Sequence, residues 1–150
     1  MERNYILYLE QLINNIYLVA SISSLVTAQI IKVIFSRWQG KQWSKYIFST
    51  GGMPSSHSAF VSSLMVSIGL REGFDSSIFA ISFVFAFIVM YDAAGIRRAA
   101  GKQAAILNKI VDTPNLTELE VQDKLVEMLG HTPIQVFVGA LIGVVAGVLL

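Results

Sequence analysis

The sequence contains no cysteine, which rules out disulfides, thiolate metal sites and a cysteine nucleophile. Charge is scarce as well. Lys, Arg, Asp and Glu make up 14% of the 150 residues, against about 25% in an ordinary soluble domain. The charges nearly cancel, to a formal +1. Without a basic excess, no nucleic-acid partner is expected. Histidine occurs only at His57 and His131. With no carboxylate cluster beside them these do not compose a zinc site, and no metal or other cofactor is implied. The G-x-S-x-G turn of a serine hydrolase is missing. The apolar runs also lack the period-two alternation of a transmembrane β-barrel.

What the chain has instead is apolar bulk, 54% of its residues, gathered into long runs that point to lipid as the solvent. Four of them, at residues 16–35, 54–70, 76–90 and 133–150, approach the roughly 20 residues that cross a bilayer as a helix. The expected fold is therefore all-α. It is a polytopic membrane bundle of about four transmembrane helices forming a single membrane-embedded domain over residues 1–150. The shorter runs allow tilted or partly interfacial helices. The N-terminus carries both charge signs in Met1-Glu2-Arg3-Asn4-Tyr5, and its apolar stretch continues to Phe35. That is longer than a signal-peptide core of about 7–15 residues, so the segment is expected to be retained. The last run holds Gly139, Gly143 and Gly147 at four-residue spacing, a ridge that lets helix backbones approach closely. Packing within the chain is its expected use, and a homo-oligomer is the alternative.

Between the third and fourth runs lies a polar, amphipathic helical insert. Residues 97–111 place Ile106, Ile110 and neighbouring alanines on one face, with Arg98, Lys102 and Lys109 elsewhere. Asp112-Thr113-Pro114-Asn115 reads as a turn. Thr117-Glu118-Leu119-Glu120 matches a capping box ahead of a second short helix with Val121, Leu125, Met128 and Leu129 apolar and Gly130 at its stop. The first loop carries Arg37, Lys41 and Lys45, and the third Arg97, Arg98, Lys102, Lys109 and Lys124; the other side has only Arg3 and Arg71. The positive-inside rule places the basic loops, the insert and both histidines on the cytoplasmic side, of a cell membrane or of an organelle membrane if the source is eukaryotic.

Four features carry candidate chemistry. In Gly51-Gly52-Met53-Pro54-Ser55-Ser56-His57-Ser58, paired glycines free the backbone, Pro54 suits a first helical turn and Ser55 or Ser56 can cap. A helix start favours a bound phosphate, and His57 can point at the same anion. The bland reading is a capped helix with an interfacial histidine. Gly130-His131-Thr132-Pro133-Ile134-Gln135 repeats the arrangement. There Gln135 has the spacing of a capping box with Thr132, so it is either a cap or a site residue. Tyr91-Asp92-Ala93-Ala94-Gly95-Ile96-Arg97-Arg98 sets two guanidinium groups after a span. They suit phosphate oxygens or, for one of them, an inside-positive anchor. Lys32 sits near the end of the first run, with Gln29 about one turn earlier, and reads equally as a snorkelling lysine or a site residue.

Pro54-Ser55-Ser56-His57 resembles the P-S-G-H motif of the type-2 phosphatidic acid phosphatase and vanadium haloperoxidase superfamily. His131 with Gln135 resembles the H-x-x-x-D end of its third motif. Over nearly the full length the chain is similar to the divergent branch, the acid phosphatase/vanadium-dependent haloperoxidase-related membrane proteins, in which G-G-M-P-S-S-H-S-A, D-A-x-G-I/V-R-R and G-H-T-P occur together. The resemblance implies a hydrolase in which His131 attacks phosphorus to form a phosphohistidine and His57 protonates the leaving oxygen. Lys32, Arg97 or Arg98, and Ser55 with Ser56 would hold the phosphate, and Gln135 stands where an acid orients the nucleophile. The sequence departs from the pattern at Ser56, where the motif has glycine. It departs again at Gln135, and in the spacing of Lys32 and Arg37 against K-x6-R-P. The substrate implied is a phosphate monoester or diphosphate on a membrane lipid. The alternative is a non-catalytic protein of the same fold that binds phosphate, lipid or a protein partner.

Overall fold

The computed structural model describes residues 2–40, 51–111 and 130–150, with side chains described for all of these except residues 2–4, 97, 98 and 111. Every regular element among the described residues is helical: α1 Glu2–Ile13, α2 Ile16–Trp38, α3 Ser56–Glu72, α4 Ser77–Ala94, α5 Ile96–Val111 and α6 Pro133–Leu149. The expected insert helix over 117–129 and its preceding turn lie outside the described residues.

The helices begin where the sequence supplies a short polar cap. The Asn15 side chain accepts from the Tyr17 and Leu18 N–H groups. Ser55 accepts from Ser58, Ser76 from Phe79, and Thr132 from Gln135. Each cap satisfies amide donors that the first helical turn leaves unpaired. Asn15 also divides what reads in sequence as one apolar stretch, so α1 is a separate helix. Pro54 falls one residue ahead of the Ser55 cap rather than inside the first turn.

Burial is inverted relative to a soluble protein. Among the described residues the buried apolar side chains are mostly alanine (Ala20, Ala28, Ala59, Ala86, Ala93 and Ala104), joined by Val61 and Ile68. The large groups, such as Ile30, Ile34, Phe83, Phe87, Phe137 and Leu141, face outward. Soluble folds bury those residue types, and an apolar surface of this extent needs lipid around it. Among the described residues two helices, Ile16–Trp38 and Ser77–Ile110, are long and apolar enough to cross a bilayer, the second running through Gly95.

Small residues draw the helices together, as expected where apolar burial gives no drive between helices. Helix α3 is central and packs against α6, α2 and α4. Along α2, Ala20, Ser24, Ala28, Lys32 and Ser36 recur every four residues and are all buried. Gly139, Gly143 and Gly147 of α6 lie against the backbone carbonyls of Ser55, Ala59 and Ser63 in that order, so α3 and α6 run parallel, one turn against one turn. The Ser24 hydroxyl donates to the Ala59 carbonyl at 2.9 Å, which joins three helices at one point. Near the far end of α3 the Tyr17 hydroxyl donates to Glu72, so α2 runs antiparallel to α3. The starts of α3 and α6 and the end of α2 therefore share one end of the bundle.

Candidate functional site

At that shared end the three motifs meet through the backbone. Gly52 and Gly130 adopt φ +96° and +81°, conformations that side-chain-bearing residues avoid, and these turns bring each loop into its helix start. The Ser55 N–H donates to the Gln135 carbonyl at 3.0 Å, and the His131 N–H donates to the Ala93 carbonyl at 2.9 Å. The His131 ring nitrogen Nδ1 lies 3.1 Å from the Gly52 carbonyl oxygen. A carbonyl only accepts, so Nδ1 carries the proton and Nε2 holds the lone pair.

The structure brings His57, His131 and Lys32 together. The two imidazole centroids are 6.1 Å apart with planes at 61°. His131 and Lys32 are each 1% exposed, while His57 is half-buried. Neither the Lys32 ammonium nor His131 Nε2 has a hydrogen-bond partner among the described residues. Burial of a lysine inside a helical span is expensive. Its place in the small-residue stripe of α2 means that it turns into the bundle rather than snorkelling outward.

Burial pushes the His131 imidazole down to about 4, helped by the positive charge of Lys32, while the Gly52 carbonyl and the Gln135 side chain partly offset this. The ring is thus neutral at neutral pH. The unfolded imidazole binds its proton near 6.5 and the folded one near 4. Between those values the unfolded chain holds more protons, so stability falls as pH drops from 6.5 toward about 4 and is flat above. Because the chain has two histidines, imidazole NMR in detergent resolves this directly. One resonance should titrate near 4. Lys32→Met should move it up toward the ordinary histidine range, and an unmoved midpoint would contradict the charge interaction.

The other sequence candidates fall as follows. Ser55 is fully buried and its hydroxyl accepts from the Ser58 N–H at 3.3 Å and the Ser58 hydroxyl at 3.0 Å. Of the two candidate caps it is the one used, and Ser56 is buried at the first helical position. The Gln135 side-chain oxygen accepts from the Thr132 N–H at 3.0 Å, completing the capping box. It also acts on the His131 ring, so cap and site are not exclusive. Arg97 and Arg98 open α5; their side chains lie outside the described residues. Sequence reading missed two groups, the carbonyls of Gly52 and Ala93, which no side-chain pattern reveals. It also missed the buried hydroxyls of Ser21, Ser24, Ser58, Ser62, Ser63 and Ser67, although their recurrence at helical spacing was visible.

Among the described residues the chain is an all-helical, inside-out bundle with His131 and Lys32 buried and His57 half-buried at one end, the build of a membrane protein. The chain belongs to the Divergent PAP2 family, which it matches over residues 13–146. It is similar to the "Uncharacterized membrane protein YuiD" of Bacillus subtilis (strain 168), at 45% identity over 155 residues that cover 93% of this chain and 96% of the relative. No solved structure matches it.

Proposed function

We propose that the protein is a membrane-embedded phosphatase that acts on a phosphate monoester or diphosphate carried by a lipid, through a phosphohistidine at His131. The observation that carries this reading is the pairing of two buried polar atoms, the Lys32 ammonium and His131 Nε2, at the convergence of two helix starts. The parallel α3 and α6 add their positive dipole ends to the lysine charge, and an anion offsets all three. The neutral Nε2 is the nucleophile that phosphoryl transfer needs.

In the first step the Nε2 lone pair forms an N–P bond as the P–O bond to the leaving group breaks. His57 gives its proton to the departing oxygen. In the second, water attacks phosphorus, passes a proton to His57 and releases His131 and inorganic phosphate. The Gly52 carbonyl orients His131 by accepting from Nδ1, the task an acid performs in the wider superfamily. Lys32, the Ser55–Ser56 turn and Arg97 or Arg98 hold the phosphate oxygens as charge builds. Helices α2, α3, α4 and α6 serve as the transmembrane spans, with the basic loops and the site on the cytoplasmic side. A largely apolar groove of about 520 Å³ between α2 and α6, lined among others by Thr27, Ile31, Leu141 and Val145, offers a place for an acyl chain.

Purified protein in detergent or bilayer should release phosphate from members of a lipid-phosphate panel, and vanadate should inhibit it. His57→Ala should slow this by about 10²–10⁴-fold, with most of the loss recovered on an ester whose leaving group needs no proton. Absence of release across a broad panel, or equal release by the wild type and the variant on every ester, would refute the enzyme. A second reading is favoured by one observation, the neutral Gln135 engaged as a cap. On that reading the same cluster binds the phosphate group without turnover, and phosphate binding persists where release fails.

A further inference from the structure

Helix α5 follows α4 with only Gly95 between them, where the backbone turns at φ −101° and ψ −83°. Together α4 and α5 would span about 50 Å as one helix, well beyond a hydrocarbon core of roughly 30 Å. So α5 leaves the core at the end where α4 emerges. Its 16 residues include Arg97, Arg98, Lys102 and Lys109 and no acidic residue. Gly101, Ala104 and Asn108, at i, i+3 and i+7, are buried. Ile106, Leu107 and Ile110 are exposed on another edge, Ile106 by 58%, and the exposed Lys102 and Lys109 lie two turns apart beside that edge.

We propose that α5 lies in the membrane–water interface and docks on anionic phospholipid headgroups. Ile106, Leu107 and Ile110 enter the acyl boundary, while Lys102 reaches lipid phosphates. An apolar edge on a helix that carries four basic residues and no acidic one is complementary to an anionic lipid surface. The position directly after an apolar helix fixes α5 at the depth where such a surface lies. This surface is separate from the histidine–lysine cluster. The His131 N–H is nonetheless held by the Ala93 carbonyl, three residues before α5 begins, so docking of α5 also steadies the helix end that holds His131.

The cysteine-free chain allows a direct test. The variant Ile106→Cys, carrying one environment-sensitive fluorophore, is reconstituted into phosphatidylcholine bilayers with and without phosphatidylglycerol. Quenching by lipid-borne spin labels is compared with quenching by aqueous iodide. The expected result is lipid quenching with protection from iodide, at least about twofold stronger in the anionic bilayer, reduced by salt and by Lys102→Glu. Iodide access equal to that of the fluorophore on free cysteine overturns the proposal. Shielding from both quenchers also overturns it, since a protein segment or second copy then covers the edge. Equal lipid quenching in the two bilayers overturns the anionic preference. The comparison of lipids needs only the labelled protein, so it stands even if the charge-reversed variant fails to fold.

Discussion

His131→Asn is expected to reduce phosphate release to background, a loss on the order of 10⁴–10⁶-fold as for removal of a nucleophile that works as one unit with its neighbours. It should also abolish the acid-labile, base-stable phosphoenzyme seen when a radiolabelled substrate is quenched during turnover. Asparagine suits the question because its amide N–H can replace Nδ1–H as donor to the Gly52 carbonyl, which lies 3.1 Å from the ring in the wild type. The loop therefore keeps its hydrogen bond while the Nε2 lone pair is gone. A folded His131→Asn protein with turnover near the wild-type level would remove His131 from the chemistry. Labelling retained by His57→Ala but absent from His131→Asn would assign the covalent step to one ring and proton delivery to the other.

Gly139→Ala and Gly143→Ala should each unfold or severely destabilise the bundle, while a substitution on the lipid face, such as Val144→Ala, should cost little. A Cβ at Gly147 would already lie 2.8 Å from the Ser63 carbonyl oxygen, and at Gly139 and Gly143 it would crowd the Ser55 and Ala59 carbonyls more closely still. These neighbours are backbone atoms, which cannot rotate away as a side chain can. Overpacking of this kind costs about 1–3 kcal/mol or more, and here α3 and α6 must also part, which breaks the hydrogen bond from the Ser55 N–H to the Gln135 carbonyl. Thermal unfolding in detergent, read as loss of monodisperse protein, measures it. A melting temperature unchanged in Gly139→Ala would show that α3 and α6 are farther apart than described.

Much of this architecture was legible because lipid exposure imposes length and apolarity on a helix. The runs at 16–35, 54–70, 76–90 and 133–150 correspond to α2, α3, α4 and α6 within a few residues. The periodic residues of 97–111 correspond to α5. Helix α1 was not expected, because the N-terminal stretch read as the head of an apolar run continuing to Phe35, although Asn15 is a strong helix cap. The ambiguity at Lys32 was resolvable from its neighbours. Ala20, Ser24, Ala28 and Ser36 share its four-residue stripe, and a lysine among small residues faces a partner helix, not lipid. The contact between Gly52 and His131 was not legible. It joins residues far apart in sequence through a carbonyl, and the backbone carbonyl is the same in every residue type.

The glycine-to-carbonyl stacking of α3 on α6 has one more consequence. Sliding α6 by a single residue would set Ala140, Val144 and Val148 where Gly139, Gly143 and Gly147 now stand, and those side chains do not fit. The next register that presents glycine lies a full turn away, about 6 Å. The pair therefore acts as a vernier with coarse teeth. Register shifts of α6 shorter than that are disfavoured, and the spacing between the two histidines is set by a bolt rather than a spring.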